Sequence, residues 1–163
     1  MIQMFKQFTA AVLSVAIFTT SAYAGIASSK VAYRGGSVTT LKQGDERKFA
    51  LDGDAFRVFA GGHTVAIPYE KIQSVEYGQK AGRRIGAAVA MTILVTPLGL
   101  LMLASKKRKH IVTLTWQDPN GRSEGAVFEF GKDAIRGALA ALEARSGRQI
   151  EYESEDAKRN IGR

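Results

Sequence analysis

The sequence predicts a mainly β fold: about seven short strands in one small curled sheet or barrel, then one amphipathic C-terminal helix. An apolar helical hairpin is expected as an insertion between two of the strands. Three observations carry this reading. From Arg47 onward, apolar residues alternate with polar ones in short runs separated by glycine-rich turn signals. Ile135, Ala138, Leu139 and Leu142 then repeat at the helical spacing i, i+3, i+4 and i+7. Between Tyr77 and Ile111 the pattern breaks, and a twenty-residue apolar run, Ile85–Ala104, stands between basic flanks.

Length and composition set the outer bounds. The 163 residues suit one domain, and 45% hydrophobic with 23% charged content belongs to a folded chain. The first 24 residues read as a secretory signal peptide. Lys6 supplies its positive start, Ala10–Phe18 its apolar core, and Ser21-Ala22-Tyr23-Ala24 an A-x-A ending with cleavage expected after Ala24. The alternative is an uncleaved N-terminal anchor, for which the core is short, since crossing a bilayer takes about 20 apolar residues. Removing residues 1–24 takes away Lys6 and no acid, leaving 22 basic against 15 acidic residues. That excess favours anionic partners, and export argues for lipid head groups over nucleic acid. No cysteine is present, so neither a disulfide nor a lipoprotein's acylated cysteine can fasten the domain.

In chain order, residues 25–46 read as a loosely ordered lead-in, Gly- and Ser-rich, with one short strand at Ser37–Leu41. The domain proper is expected over 47–153. Phe49 and Leu51 alternate, Asp52-Gly53-Asp54 turns, and Phe56, Val58 and Ala60 alternate in turn. Gly61-Gly62 suits a tight hairpin, because glycine reaches positive φ without steric cost. Thr64–Ile67 follows as a strand that Pro68 should end, having no N–H for a ladder. Ile72, Val75 and Tyr77 mark another, stopping at Gly78. After the insertion come Ile111–Trp116, the turn Asp118-Pro119-Asn120-Gly121, and a returning strand through Ala126, Phe128 and Phe130. Asp133 is expected to cap the helix, Gly147 to stop it, and Arg145 to favour its C-terminal dipole. Gln149–Glu153 reads as a short edge strand and residues 154–163 as a charged, frayed tail.

This order of elements resembles the pleckstrin-homology-like (PH-like) barrel, most nearly that of small exported bacterial proteins of unassigned role. The residues that carry the resemblance are Ile67-Pro68-Tyr69 leading to Ser74-Val75-Glu76-Tyr77-Gly78, the block Lys106-Lys107-Arg108-Lys109-His110 at a strand start, and Leu142-Glu143-Ala144-Arg145-Ser146-Gly147. It spans residues 47–153 and implies a curled sheet with the C-terminal helix plugging one end. Relatives of that fold often bind phosphoinositides. An exported bacterial protein does not normally meet those lipids, so that ligand is not implied here.

The insertion carries the functional expectation. Ile85–Ala104 is long enough to span roughly 30 Å of hydrocarbon as one helix. A single crossing would put the strands on either side of it in different compartments. Thr96-Pro97-Leu98-Gly99 holds the run's helix breaker, and a turn at Pro97 and Gly99 leaves limbs of roughly 10–16 Å, about one leaflet deep. Ile85, Val89, Ile93, Leu94, Leu98, Leu100, Leu101 and Leu103 are the expected lipid-facing residues. The rim expected on anionic head groups is Lys80, Arg83, Arg84, Lys106, Lys107, Arg108, Lys109 and His110. Each central aliphatic residue favours insertion by about 0.3–0.6 kcal/mol, and each rim cation adds about 1 kcal/mol near an anionic surface. Neither contribution suffices comfortably alone, so the expected association is firm and salt-sensitive. The competing expectations are a hairpin that packs on another protein or a second copy, for which Gly82, Gly86 and Ala90 permit close helix contact, and a single-pass span.

Catalytic chemistry finds no matching pattern. His63 lies beside the Gly-Gly turn and is expected to be exposed, and His110 doubles as a strand-start residue. Two separated histidines fall short of a zinc site, and Asp52 and Asp54 lack the further oxygen ligands of a calcium loop. Trp116 and the alternating phenylalanines read as core. No aromatic residues are interleaved with the basic clusters as single-strand binders require. The expectation is a non-catalytic exported module with no metal or cofactor.

Overall fold

Residues 30–79 and 109–161 are described by the structure, a computed structural model. They contain four strands ahead of a short 3-10 turn at Tyr69–Lys71: β1 (Lys30–Gly36), β2 (Glu46–Ala50), β3 (Ala55–Ala60) and β4 (His63–Pro68). Four more follow, β5 (Ile72–Gly78), β6 (His110–Gln117), β7 (Ser123–Phe130) and β8 (Ile150–Tyr152). Together they form one open, curled sheet in the order β4-β3-β2-β1-β7-β6-β5-β8. Neighbours run antiparallel except β5 and β8, which are parallel. Two helices complete the described residues, α1 (Lys132–Ser146) and α2 (Glu155–Ile161). The expected signal peptide, and the insertion from Lys80 through Arg108 with its apolar limbs, turn and most of its basic rim, lie outside them.

Turn chemistry sets the hairpins. Gly61 and Gly62 take φ of 48° and 98° between β3 and β4, values that favour glycine. Between β6 and β7, the Asp118 carbonyl accepts from Gly121 N at 3.0 Å. The Asp118 carboxylate accepts from Asn120 N and Arg122 N at 2.8 Å each. These bonds hold its pKa below the usual carboxylate range, the Arg122 amide contributing most.

Alternation sends Val31, Phe49, Phe56, Val75, Leu114 and Phe128 to one face of the sheet, where they share a buried cluster. The apolar stripe of α1, Ile135, Ala138, Leu139 and Leu142, lies on the same cluster. Phenylalanine rings meet edge-on within it, Phe49 on Phe130 at 5.1 Å and Phe56 on Phe128 at 5.2 Å. Such contacts add about 0.5–1.5 kcal/mol each beyond the area they bury. Trp116 and the alternating Phe49, Phe56, Phe128 and Phe130 are core as expected, while Phe59, on the other face of β3, is 44% exposed.

The opposite face carries a second buried group. Ala32, Ile111, Thr113 and Val127 are 6%, 3%, 5% and 1% exposed, yet they alternate away from the inner cluster. The buried residues of both helices belong to the inner cluster, so neither described helix covers this outer group.

Several expectations need correction. The segment expected as a lead-in contains β1, a central strand between β2 and β7, and it lies at Lys30–Gly36 rather than Ser37–Leu41. Val31 and Tyr33 supply its core residues, and the register shifts between Tyr33 and Gly35 against β7. Gly36, at φ 136°, lets the backbones touch: a Cβ there would stand 2.7 Å from Ala126 Cα. The sheet thus has eight described strands rather than about seven. Asp133 is not the cap; Gly131 takes that position without a side-chain bond, and Asp133 sits in the first turn, where its charge favours the dipole. Gly147 does end α1, at φ 67° with its N–H on Glu143 O. The expected frayed tail holds α2, where Ser154 Oγ accepts from Ala157 N at 3.2 Å and Ala157 is buried.

Candidate functional site

The basic, apolar insertion is rooted where β5 ends and β6 begins. These strands are direct neighbours: Gly78 pairs with Ile111 and Tyr77 with Val112. Just beyond the ladder, Lys109 N donates to Gln79 O at 3.4 Å. Gln79 and Lys109, the described residues on either side of 80–108, therefore stand about one strand spacing apart, about 5 Å. The two strands pair from Ile72 and Trp116 to Gly78 and Ile111, with one register shift between Ile72 and Ser74.

Two side-chain groups brace the root. On the inner side, Tyr77 and His110 share a hydrogen bond of 2.8 Å between hydroxyl and Nδ1, with their rings stacked at 6.1 Å. Tyr152 of β8 meets Tyr77 edge-on at 6.0 Å. The segment after β8 ties to the same point: Glu153 N donates to Tyr77 O at 2.8 Å, and Gln79 N donates to Glu153 Oε2 at 3.1 Å. Burial lowers the proton affinity of His110, and the Lys132 charge lowers it further against a smaller opposing pull from Glu129. Burial raises that of the Tyr77 hydroxyl.

On the outer side, one carboxylate oxygen gathers the cations. Glu129 Oε2 accepts from Arg34 Nε at 2.7 Å and from Lys109 Nζ at 3.0 Å, with Arg34 Nη2 2.6 Å away. β1, β7 and the first residue before β6 are thereby linked at the sheet end that carries the insertion. All three side chains are half-buried, with 21–29% of their surface exposed, where a paired charge is screened less than on open surface.

Of the residues expected in the rim and the hairpin, Lys109 and His110 are among the described residues, and both stand at the root. The Lys109 ammonium is engaged by Glu129, and the His110 imidazole turns to Tyr77 as the first side chain of β6. Lys80, Arg83, Arg84, Lys106, Lys107 and Arg108 lie outside the described residues, as do the apolar residues and the turn. His63 is exposed as expected. Arg34, Glu129 and Glu153 are not among the expected site residues, and Tyr77 is expected only as a strand residue. Alternation does put Glu129 on the outer face of β7, but only the strand register sets it between Arg34 and Lys109. Among the described residues no three His, Asp or Glu side chains gather as a metal site requires, and no helix is long and apolar enough to cross a membrane. No protein-family model matches the chain, and no curated protein matches it.

Proposed function

We propose that this protein is an exported, non-catalytic module that docks peripherally on an anionic membrane surface through the insertion. Ile85–Ala104 enters one leaflet as a hairpin turning at Pro97 and Gly99, with Arg83, Arg84, Lys106, Lys107 and Arg108 on the head groups and Lys109 held at the root by Glu129. The observation that carries the reading is the pairing of β5 with β6 across the root. An apolar excursion that starts and ends on adjacent strands has both basic flanks at one depth, as head-group contact demands. In this reading the curled sheet closes further into a PH-like barrel with α1 at its mouth.

Vesicle flotation of the purified protein tests it. Binding to anionic vesicles is expected, weakening as salt rises and disappearing when residues 85–104 are deleted. Leu94→Asp and Leu101→Asp should each release the protein while leaving its circular dichroism unchanged. Failure to float on any anionic vesicle would sink the docking reading, and unfolding by either substitution would make the run part of the core.

A second reading rests on the outer group of Ala32, Ile111, Thr113 and Val127, buried on a face that neither described helix covers. Here the run is protein-facing, packed on that sheet face or on a second copy, and the module is a soluble interaction or self-assembly unit. A stable oligomer that ignores vesicles and becomes monomeric on deletion of residues 85–104 is its expected signature.

A further inference from the structure

The end of the sheet that bears the insertion also holds a cleft of about 440 Å³, with Lys30, Ala32, Arg34, Glu46, Glu129 and Asp133 in its walls. The small, buried Ala32 lines it between two carboxylates. In the register of the sheet Ala32 stands opposite Glu46 on one side and Glu129 on the other, so a carboxylate flanks it at each hand. Lys30 lies two residues before Ala32 on the same strand, hence on the same face, and Arg34, at the register shift, reaches that side through its bond to Glu129, the residue opposite Ala32. Cations thus stand along the strand and anions across it. Asp133, in the first turn of α1, adds a third carboxylate to the wall.

The charges are unequally committed. Arg34 is held by Glu129, which also holds Lys109. Lys30 and Glu46 are exposed and make no ion pair among the described residues. A purely anionic ligand would meet the carboxylates of Glu46 and Asp133, and a purely cationic one would meet Lys30 and Arg34. A ligand with both charges on a short linker satisfies both sets. Because Glu129 belongs to the cleft and to the root, the cleft lies at the sheet end that would meet a bilayer.

We propose that this cleft takes a phosphoethanolamine lipid head group, with the phosphate toward Lys30 and the ammonium toward Glu46 and Asp133. The assignment rests on the docking reading for its lipid source. An ammonium offers three N–H donors to the carboxylates. The trimethylated choline group offers none, so the cleft discriminates between the two common zwitterionic lipids.

The test uses the purified protein and vesicles of fixed phosphatidylglycerol fraction, the remainder being phosphatidylethanolamine or phosphatidylcholine. Binding about tenfold tighter to the ethanolamine vesicles is expected, the size of one charge-assisted hydrogen bond. Glu46→Gln should erase that preference while leaving salt-sensitive binding to phosphatidylglycerol. Equal binding to both vesicles, or a preference that survives Glu46→Gln, would overturn the cleft assignment and leave docking standing. Soluble phosphoethanolamine, titrated against the protein by NMR, should move the Ala32 and Gly131 amides. Absence of those shifts, or equal shifts with inorganic phosphate, overturns it as well. Shifts in a protein that binds no vesicle would locate the failure in the docking reading.

Discussion

At the scale of single residues, His110 shows how position changes the meaning of a side chain. In the sequence it closes a basic block; in the structure its Nδ1 meets the Tyr77 hydroxyl, within electrostatic reach of Lys132 on α1 and, across the sheet, of Glu129 on β7. Burial and Lys132 favour its neutral form, so the unfolded chain binds a proton there more readily than the folded one. The stability this contributes is complete above the unfolded histidine value of about 6.5 and is lost as pH falls through the lower folded value. The urea midpoint should therefore fall between pH 7.5 and pH 5, and His110→Gln should flatten that dependence. The depressed carboxyls of Asp54 and Asp118 act only below about pH 4 and leave this window clear. An unchanged pH dependence in the variant would show that His110 is solvated like any surface histidine.

At the scale of elements, α1 is held by both its face and its end. Leu142 is fully buried against the inner face of the sheet, and the helix stops at Gly147 in the left-handed conformation. From the C-terminal turn, Arg145 donates to Gly53 O at 2.8 Å and lies over the Tyr69 ring at 5.8 Å, tying the helix to the β2–β3 turn. Leu142→Ala should cost about 2–5 kcal/mol by chemical denaturation, from lost burial plus a residual cavity. Gly147→Ala should cost about 1 kcal/mol, from the Cβ penalty alone. If the two losses were equal, α1 would be resting on the sheet rather than packed into it.

At the scale of the whole molecule, the question is whether the sheet needs its insertion. β5 and β6 pair through Ile111 without help from residues 80–108, and Lys109 N already reaches Gln79 O. Replacing 80–108 by Asn-Gly should leave a folded sheet of equal or higher stability. Each halving of a loop lowers the closure cost by about 0.6 kcal/mol. A lower thermal midpoint would instead show that the run shields Val127 and Ile111, and would favour the protein-facing reading. That single loop replacement separates the two functions at the level of folding energy, with no membrane present.

Much of the fold was legible in the residues themselves. The alternation through Phe56 and Val58, the Gly61-Gly62 and Asp118–Gly121 turns, the i, i+3, i+4, i+7 stripe of α1 and its Gly147 stop are local signals, set by backbone sterics and by which side chains avoid water. β1 escaped notice because Gly35-Gly36 interrupts its alternation, a break that makes sense only beside Gly125. α2 escaped because a charged heptapeptide is no helix signal until Ala157 has a core to enter. The insertion's composition announced a surface-seeking segment, yet its root was invisible. Glu129 lies 20 residues from Lys109 and 95 from Arg34, and pairing between strands is a long-range choice that no short window of sequence contains. Local residue chemistry determined the alternating strands, the turns and the apolar stripe of α1, because backbone sterics and avoidance of water act over short windows. The sheet's register decided where β1 and Ala157 are buried and which charges stand together at the root and the cleft.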